Sequence, residues 1–180
     1  MTTTGGPGVY RSVAEAVASI TTAFKRTSER ALDGVTDDAV GAPEVILGDA
    51  LDAIGAPNST PDLIGVETSG TRSDSGTVGS SRREKHTIDL DVTIVSIRVT
   101  DDPSETVAQA WRLLGLIDTR IRTAEPDLTD PATPAEHPAL WCRLTSTDSA
   151  SADTKTAGGY GGRITGIRAT FEAAVIIQNT

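Results

Sequence analysis

Glu84 to Val99 reads EKHTIDLDVTIVSIRV, the longest run in the chain with a clear two-residue period. Ile88, Leu90, Val92 and Ile94 fall on one face and Thr87, Asp89, Asp91 and Thr93 on the other, which predicts a strand with one side buried and one wet. At Ile94 and Val95 two apolar residues adjoin, and Val95, Ile97 and Val99 continue in the opposite phase. Such a switch needs either a bulge that turns the strand over or a strand whose two halves bury opposite faces.

Two other stretches share this period. In Arg163 to Gln178, residues Ile167, Ala169, Phe171, Ala173, Val175 and Ile177 face one way and Arg168, Thr170 and Glu172 the other. Ala139 to Thr145 sets Leu140, Cys142 and Leu144 against Trp141, Arg143 and Thr145, and its natural partner is the closing strand. Trp141 lies on the polar side. Cover by a helix is the preferred reading there, with an exposed interface anchor as the alternative. Pro43 to Gly48 and Leu63 to Thr68 are shorter candidate strands.

Helical spacing marks two segments. Ser12 and Glu15 have capping-box spacing, and Val13, Ala16, Val17, Ile20 and Phe24 form one stripe that ends near Ala31, before Asp33 and Gly34. Asp102 is an N-cap with Pro103 at the first helical position, where its missing amide hydrogen is not needed. Behind it Val107, Ala110, Trp111, Leu114, Ile117 and Ile121 form a stripe that Leu113 and Leu116 widen. A wide stripe predicts contact with more than one element or with a second subunit. Gly115 within it predicts a close backbone approach. One helical turn is expected over Ala50 to Ile54.

The rest reads as connection. Met1 to Gly8 predicts a flexible arm, leaving residues 9–180 as a single domain. Ser69 to Lys85 and Ser146 to Gly162 read as two long polar loops, the first concentrating Arg72, Arg82, Arg83 and Lys85. Contact with an acidic neighbour and a solvated loop are equal readings of that cluster. The second loop carries AGGYGG, with Tyr160 near its tip; the spacing fits no phosphate-binding fingerprint. Glu125 to Pro138, rich in proline and acids, reads as an irregular surface connection.

Composition narrows the classes. A chain of 180 residues fits one domain, and aromatics at 3% mean a core of Val, Ile, Leu and Ala. A net charge of -9 argues against gripping nucleic acid through its phosphates. The single cysteine, Cys142, leaves no internal disulfide and reads as a core residue. No basic-then-apolar leader opens the sequence and no apolar run is long enough to cross a bilayer, so a soluble protein without membrane contact is expected. His86 and His137 lack metal-ligand spacing, and no nucleophile stands in a turn motif beside a base. Asp89 and Asp91 share a strand face about 7 Å apart, but read as the wet side of a sheet and not as paired catalytic acids. Neither enzyme activity nor a catalytic, cofactor or metal site is expected.

These elements predict an α+β fold: a mixed four- or five-stranded sheet, two main helices packed on one face, and long hairpin loops. The order resembles that of the tail terminator, or tail completion, proteins of long-tailed phages, the minor tail protein U-like family. SVAEAVASITTAF, PEVILG, EKHTIDLDVTIVSIRV, DPSETVAQAWRLLGLIDTRI and GGRITGIRATFEAAVIIQ carry the resemblance, which spans Val9 to Gln178 and contains no diagnostic motif. Both long loops and the proline-rich connection depart from the family pattern. The resemblance implies a virion protein, assembled in the host cytoplasm, that forms a hexameric ring on the end of the tail tube. It would stop tube growth and meet the head connector, while DNA passes through its lumen without specific binding. Arg72, Arg82, Arg83, Lys85, Trp141 and Tyr160 are the candidate subunit contacts. Another neck component, such as a head-closure or connector protein, and a tail tube subunit are near alternatives. A small acidic enzyme or ligand-binding domain of the host is the alternative of another class.

Overall fold

Arg83 to Arg98 forms one continuous strand, and its register against Gly161–Gln178 runs without a break from Arg83 opposite Gln178 to Arg98 opposite Arg163. The computed structural model describes residues 8–36, 41–54, 62–77, 83–98, 102–134, 136–155 and 161–178. In chain order the elements are β1 (Val9–Tyr10), α1 (Val13–Ala31), β2 (Glu44–Leu47), α2 (Ala50–Ala53), β3 (Asp62–Thr77), β4 (Arg83–Arg98), α3 (Pro103–Thr123), β5 (Trp141–Lys155) and β6 (Gly161–Gln178). They build an α+β fold with a mixed six-stranded sheet ordered β1-β6-β4-β3-β2, in which β5 also pairs with β6. The strand beyond the expected four or five is the two-residue β1, parallel to β6.

The phase switch in β4 is not a bulge. Ile88, Leu90, Val92 and Ile94 pack into the main core beneath α1 and α3, whereas Val95 joins Leu63 and Ala50 in a second cluster with Ala53, Ile54, Ile97 and Ile164. The end of β4 therefore buries both faces, one under the long helices and one under α2. The bulges lie on the partner β3, between Thr68 and Gly70 and between Ser73 and Thr77.

Ser12 caps α1 by accepting a hydrogen bond from the Glu15 amide at 3.2 Å, and the Glu15 carboxylate accepts from the Arg11 amide at 3.1 Å. Ala16, Ile20 and Phe24 face the sheet, where Phe24 meets Phe171 edge-on with centroids 4.9 Å apart. Burying each such ring contributes about 1.5–3 kcal/mol. Asp102 caps α3 through the Ser104 amide, with Pro103 in its first turn. Its buried stripe is Ala110, Leu113, Leu114, Ile117 and Ile121. Trp111, expected in that stripe, is instead 41% exposed, because the stripe centres on Leu113 and Ile117. Gly115 is exposed too, and a Cβ built on it meets nothing within 4 Å, so it serves no close approach among the described residues.

Both expected long loops are largely strand. β3 continues through Ser69–Thr77 against β4, and β5 continues through Ser146–Lys155 against β6. At roughly 3.3 Å per residue, a sixteen-residue strand spans about 50 Å, against about 32 Å for the 21-residue α3, so the sheet outruns its helices. The arm's last residue, Gly8, is held at φ +63° by bonds to His137 O and from the Ile176 amide; residues 1–7 lie outside the described residues.

Glu125 to Pro138 lacks helix and strand as expected, but it is not a mere surface connection. Glu125 is 1% exposed and sits where α1 and α3 converge, bound by Arg30, Arg120 and Thr27 at 2.6–2.7 Å. Leu128, at φ +61°, turns back into the core, and Tyr10 donates its hydroxyl to Pro138 O at 2.6 Å.

Burial alone would push the Glu125 carboxyl up, but hydrogen bonds from Arg30, Thr27 and Arg120 outweigh it and hold the group below the usual carboxylate range. A carboxylate depressed on folding stabilises the fold above its unfolded value, and that stability is lost as pH falls through the folded value. Glu125→Ala should therefore cost roughly 1.5–3 kcal/mol at neutral pH, because it removes a buried carboxylate that joins half-buried Arg120 to Arg30, which keeps Asp130. Denaturant unfolding should also show the variant losing less stability than the parent between about pH 5 and 2. Gly65 gives a second prediction. A Cβ there would overlap the Ala50 amide and the Gly48 carbonyl oxygen, so Gly65→Ala should lift α2 off the sheet. Hydrogen exchange at Leu51 to Ala53 should then accelerate while α1 and α3 stay protected.

Candidate functional site

Opposite the long helices the sheet presents a broad outer face, built from the alternate positions that those helices do not touch. Its rows follow from the register: Arg72, Thr87, Ala174 and Trp141 lie across one level, and Gly70, Asp89, Glu172 and Arg143 across the next. Further along come Glu67, Asp91, Thr170 and Ser146, then Gly65, Thr93, Arg168 and Asp148. The face thus divides into a charged end and an apolar end.

At the charged end Arg72 bridges Asp89, at 2.8 Å, and Glu172, which also accepts from Arg143 at 3.1 Å. Burial holds the Asp89 carboxyl above the usual range; Arg72 opposes this, while Glu172 and Asp91 add to it. Asp91 accepts a hydrogen bond from the Thr170 hydroxyl at 3.0 Å. The two aspartates are thus tied to a cation and a hydroxyl on the outer face, as their alternation predicts.

No helix among the described residues covers Trp141, which lies on the outer face beside Ala174. Arg143 stacks on its ring at 4.6 Å and Lys85 at 5.6 Å, so cations shield it and leave it half-buried on the outer face. Lys85 also reaches Asp74 at 3.4 Å. The structure therefore brings together Lys85 and Trp141, and places Arg72 nearby with carboxylate partners of its own. Arg83 heads β4, and its Nε has no hydrogen-bond partner among the described residues. Arg82 and Tyr160 lie outside the described residues.

The apolar end is a hollow of about 290 Å³ between α2 and β5. Ile164, Gly166 and Thr93 line its floor, Leu51 one wall, and Ala150 and Ala152 the other. The Thr93 hydroxyl is buried with no partner among the described residues, and Leu51 is 44% exposed. Asp148 and Arg168 flank the hollow, the latter 3.4 Å from Asp49. None of these residues stood out as a site in the sequence; the only trace was the opposite phase of Val95 and Ile97.

Beyond this face, chemistry is sparse. Among the described residues no three His, Cys, Asp or Glu side chains come together as metal ligands. His86 approaches Glu84, and His137 approaches Asp127 at 3.1 Å within the connection after α3. Cys142 is buried in the core, where desolvation pushes its thiol pKa up and keeps it a thiol. Among the described residues no helix is long and apolar enough to cross a membrane.

Among the described residues both edges of the sheet are open over long stretches. β2 pairs only with Leu63 to Val66 of β3, and β5 is bordered by β6 alone. Thr145 to Ala152 of β5 are all exposed. A bulge between Leu144 and Ser146 and the charge of Asp148 blunt that edge, as the bulges of β3 blunt the other.

No protein-family model matches the chain, and no curated protein matches it in sequence.

Arg72 is half exposed, so its ion pairs contribute at most about 1 kcal/mol to stability. Arg72→Gln should leave unfolding nearly unchanged near neutral pH while moving the Asp89 titration further upward. Carboxyl NMR shifts read the Asp89 titration; an unmoved Asp89 would show that Arg72 does not act on it.

Proposed function

We propose that this chain is a structural virion protein, a tail terminator that closes into a ring on the end of a phage tail tube and meets the head connector. One observation carries the reading: the sheet outruns its helices, leaving most of its outer face and both edges without a partner among the described residues. A domain with so much unsatisfied sheet is suited to completion by neighbours. Different surfaces joined head to tail close by rotation into a ring.

Further support comes from the order of elements that carries the family resemblance, a long amphipathic helix, a short strand, a long bent strand, a second helix and a long closing strand. The net charge of -9 suits a channel through which DNA slides, because an acidic wall repels phosphate. Among the cations expected at the subunit contact, Arg72 already has two carboxylates of its own chain, and the Arg83 Nε is buried without a partner among the described residues.

A second reading, a small ligand-binding domain, draws on the hollow beside α2. Its 290 Å³ lies at the bottom of the range for small-molecule sites, roughly 300–1,000 Å³, and it is open to solvent. Native mass spectrometry and negative-stain imaging separate these readings. A terminator gives closed rings, six subunits being expected, and caps tube assembled from tail tube subunits. A tube subunit polymerises unaided into long cylinders. Monomers alone and with tube subunits, together with a reproducible thermal shift from a metabolite, would replace the ring by the ligand-binding reading.

A further inference from the structure

Trp111 is large and apolar, 41% exposed on the outward side of α3, and has no ring or cation stacked on it among the described residues. Its neighbours on that side are Ala108 and Gly115, both exposed and spaced three and four residues away. Together they leave the indole standing above a low strip of helix. Gly115 has no packing role among the described residues, yet it costs about 1 kcal/mol relative to alanine in a helix interior. On the opposite side of the molecule, the hollow beside α2 is lined largely by small and aliphatic residues, Leu51, Ala150, Ala152, Ile164 and Gly166.

We propose that the hollow receives Trp111 of a second copy of this chain, so that α3 of one copy packs on the outer sheet face of the next. This inference rests on the ring reading above and identifies its joint. The hollow, about 290 Å³, has room for one large side chain, and Ile164, Ala150 and Ala152 offer an indole ring apolar contact. Charge agrees. Arg112, exposed beside Trp111, has only Gln109 within 3.5 Å, and Asp148, exposed at the rim of the hollow, bonds only its neighbouring Ser149 amide. Neither has an ion partner among the described residues, and the docked arrangement brings the two signs together. The small residues Ala108 and Gly115 on one side, and Gly166 and Ala150 on the other, let the helix approach the sheet closely. Knob and hollow lie on different surfaces of the same chain, so the contact is head to tail and can close into a ring. The blunted edges leave this face as the better joint.

Sedimentation velocity on the full chain tests it. Trp111→Ala and Gly166→Leu should each weaken assembly about thirtyfold or more, the loss typical of a buried aromatic anchor. A side chain begun at Gly166 meets nothing within 4 Å, so the leucine fills the hollow without disturbing the fold, which circular dichroism checks. Arg112→Asp and Asp148→Arg should each weaken assembly, and combining them should restore it, which no purely structural damage would do. With Trp141→Phe in the background, Trp111 is the only tryptophan left, and its fluorescence should shift to the blue on assembly. Rings that survive both Trp111→Ala and Gly166→Leu would overturn this joint and leave the ring reading standing. Loss of assembly in only one of the two, without rescue by the charge exchange, would assign the hollow or the indole to another occupant. A parent chain that stays monomeric, alone and with tail tube subunits, would overturn both.

Discussion

The pairing of β4 with β6 is the constraint on which everything else in this molecule depends. Its sixteen-residue register is unbroken, and each residue of β4 is set to one face by its partner. Because side chains alternate, a slip of one position would turn Ile88, Leu90, Val92 and Ile94 toward solvent and bring Asp89 and Asp91 beneath the helices. The buried row of β6, from Ile167 to Ile177, enforces the same alignment from the other side. With that ladder fixed, β3 and β5 can only add outside it, and the long helices can only cover the face on which both apolar rows emerge.

Polar ties then fix how the helices sit. Glu125 receives Arg30 from α1 and Arg120 from α3, so a single carboxylate sets the separation of the two helices where they converge. At the other end of α3, Asp62 at the start of β3 is held by Arg98 through two contacts of 2.7 Å and by Gln109 at 3.0 Å. Both carboxylates are almost fully buried, and their several donors offset the cost of removing them from water. The hydrophobic layer makes the helices adhere, and these two clusters decide where.

Much of this was legible where one face is greasy and the other wet. β4, the apolar half of β6, both long helices with their caps, and even the single turn of α2 follow from spacing and capping residues. The extensions of β3 and β5 were not legible, because ETSGTRSDSGT and TSTDSASADTK have no apolar row: Thr145 to Ala152 are exposed, and backbone pairing holds both stretches in place. Trp111 was misplaced because it borders the stripe at Ala110, and a helical wheel cannot say where the stripe's centre falls. Glu125 carried no local sign of its importance, since its partners are 95 and 5 residues away in sequence. The outer hollow was foreshadowed only by the phase switch in β4, whose meaning depended on α2 arriving from elsewhere in the chain.

The position of β6 in the sheet has a consequence for the order in which the molecule is made. β6 is the last element in the chain, yet it lies between β4 and both β5 and β1, and it contributes Phe171 to the centre of the core. Until it emerges, β4 has β3 on one side and nothing on the other, and β1, some 167 residues earlier, has no partner at all. Contacts so distant in sequence make folding slow, because loop closure must precede the gain from pairing. From Arg98, where β4 ends, until Gly161, where β6 begins, the nascent chain therefore holds one ladder edge of β4 unpaired, with β3 as its strand partner.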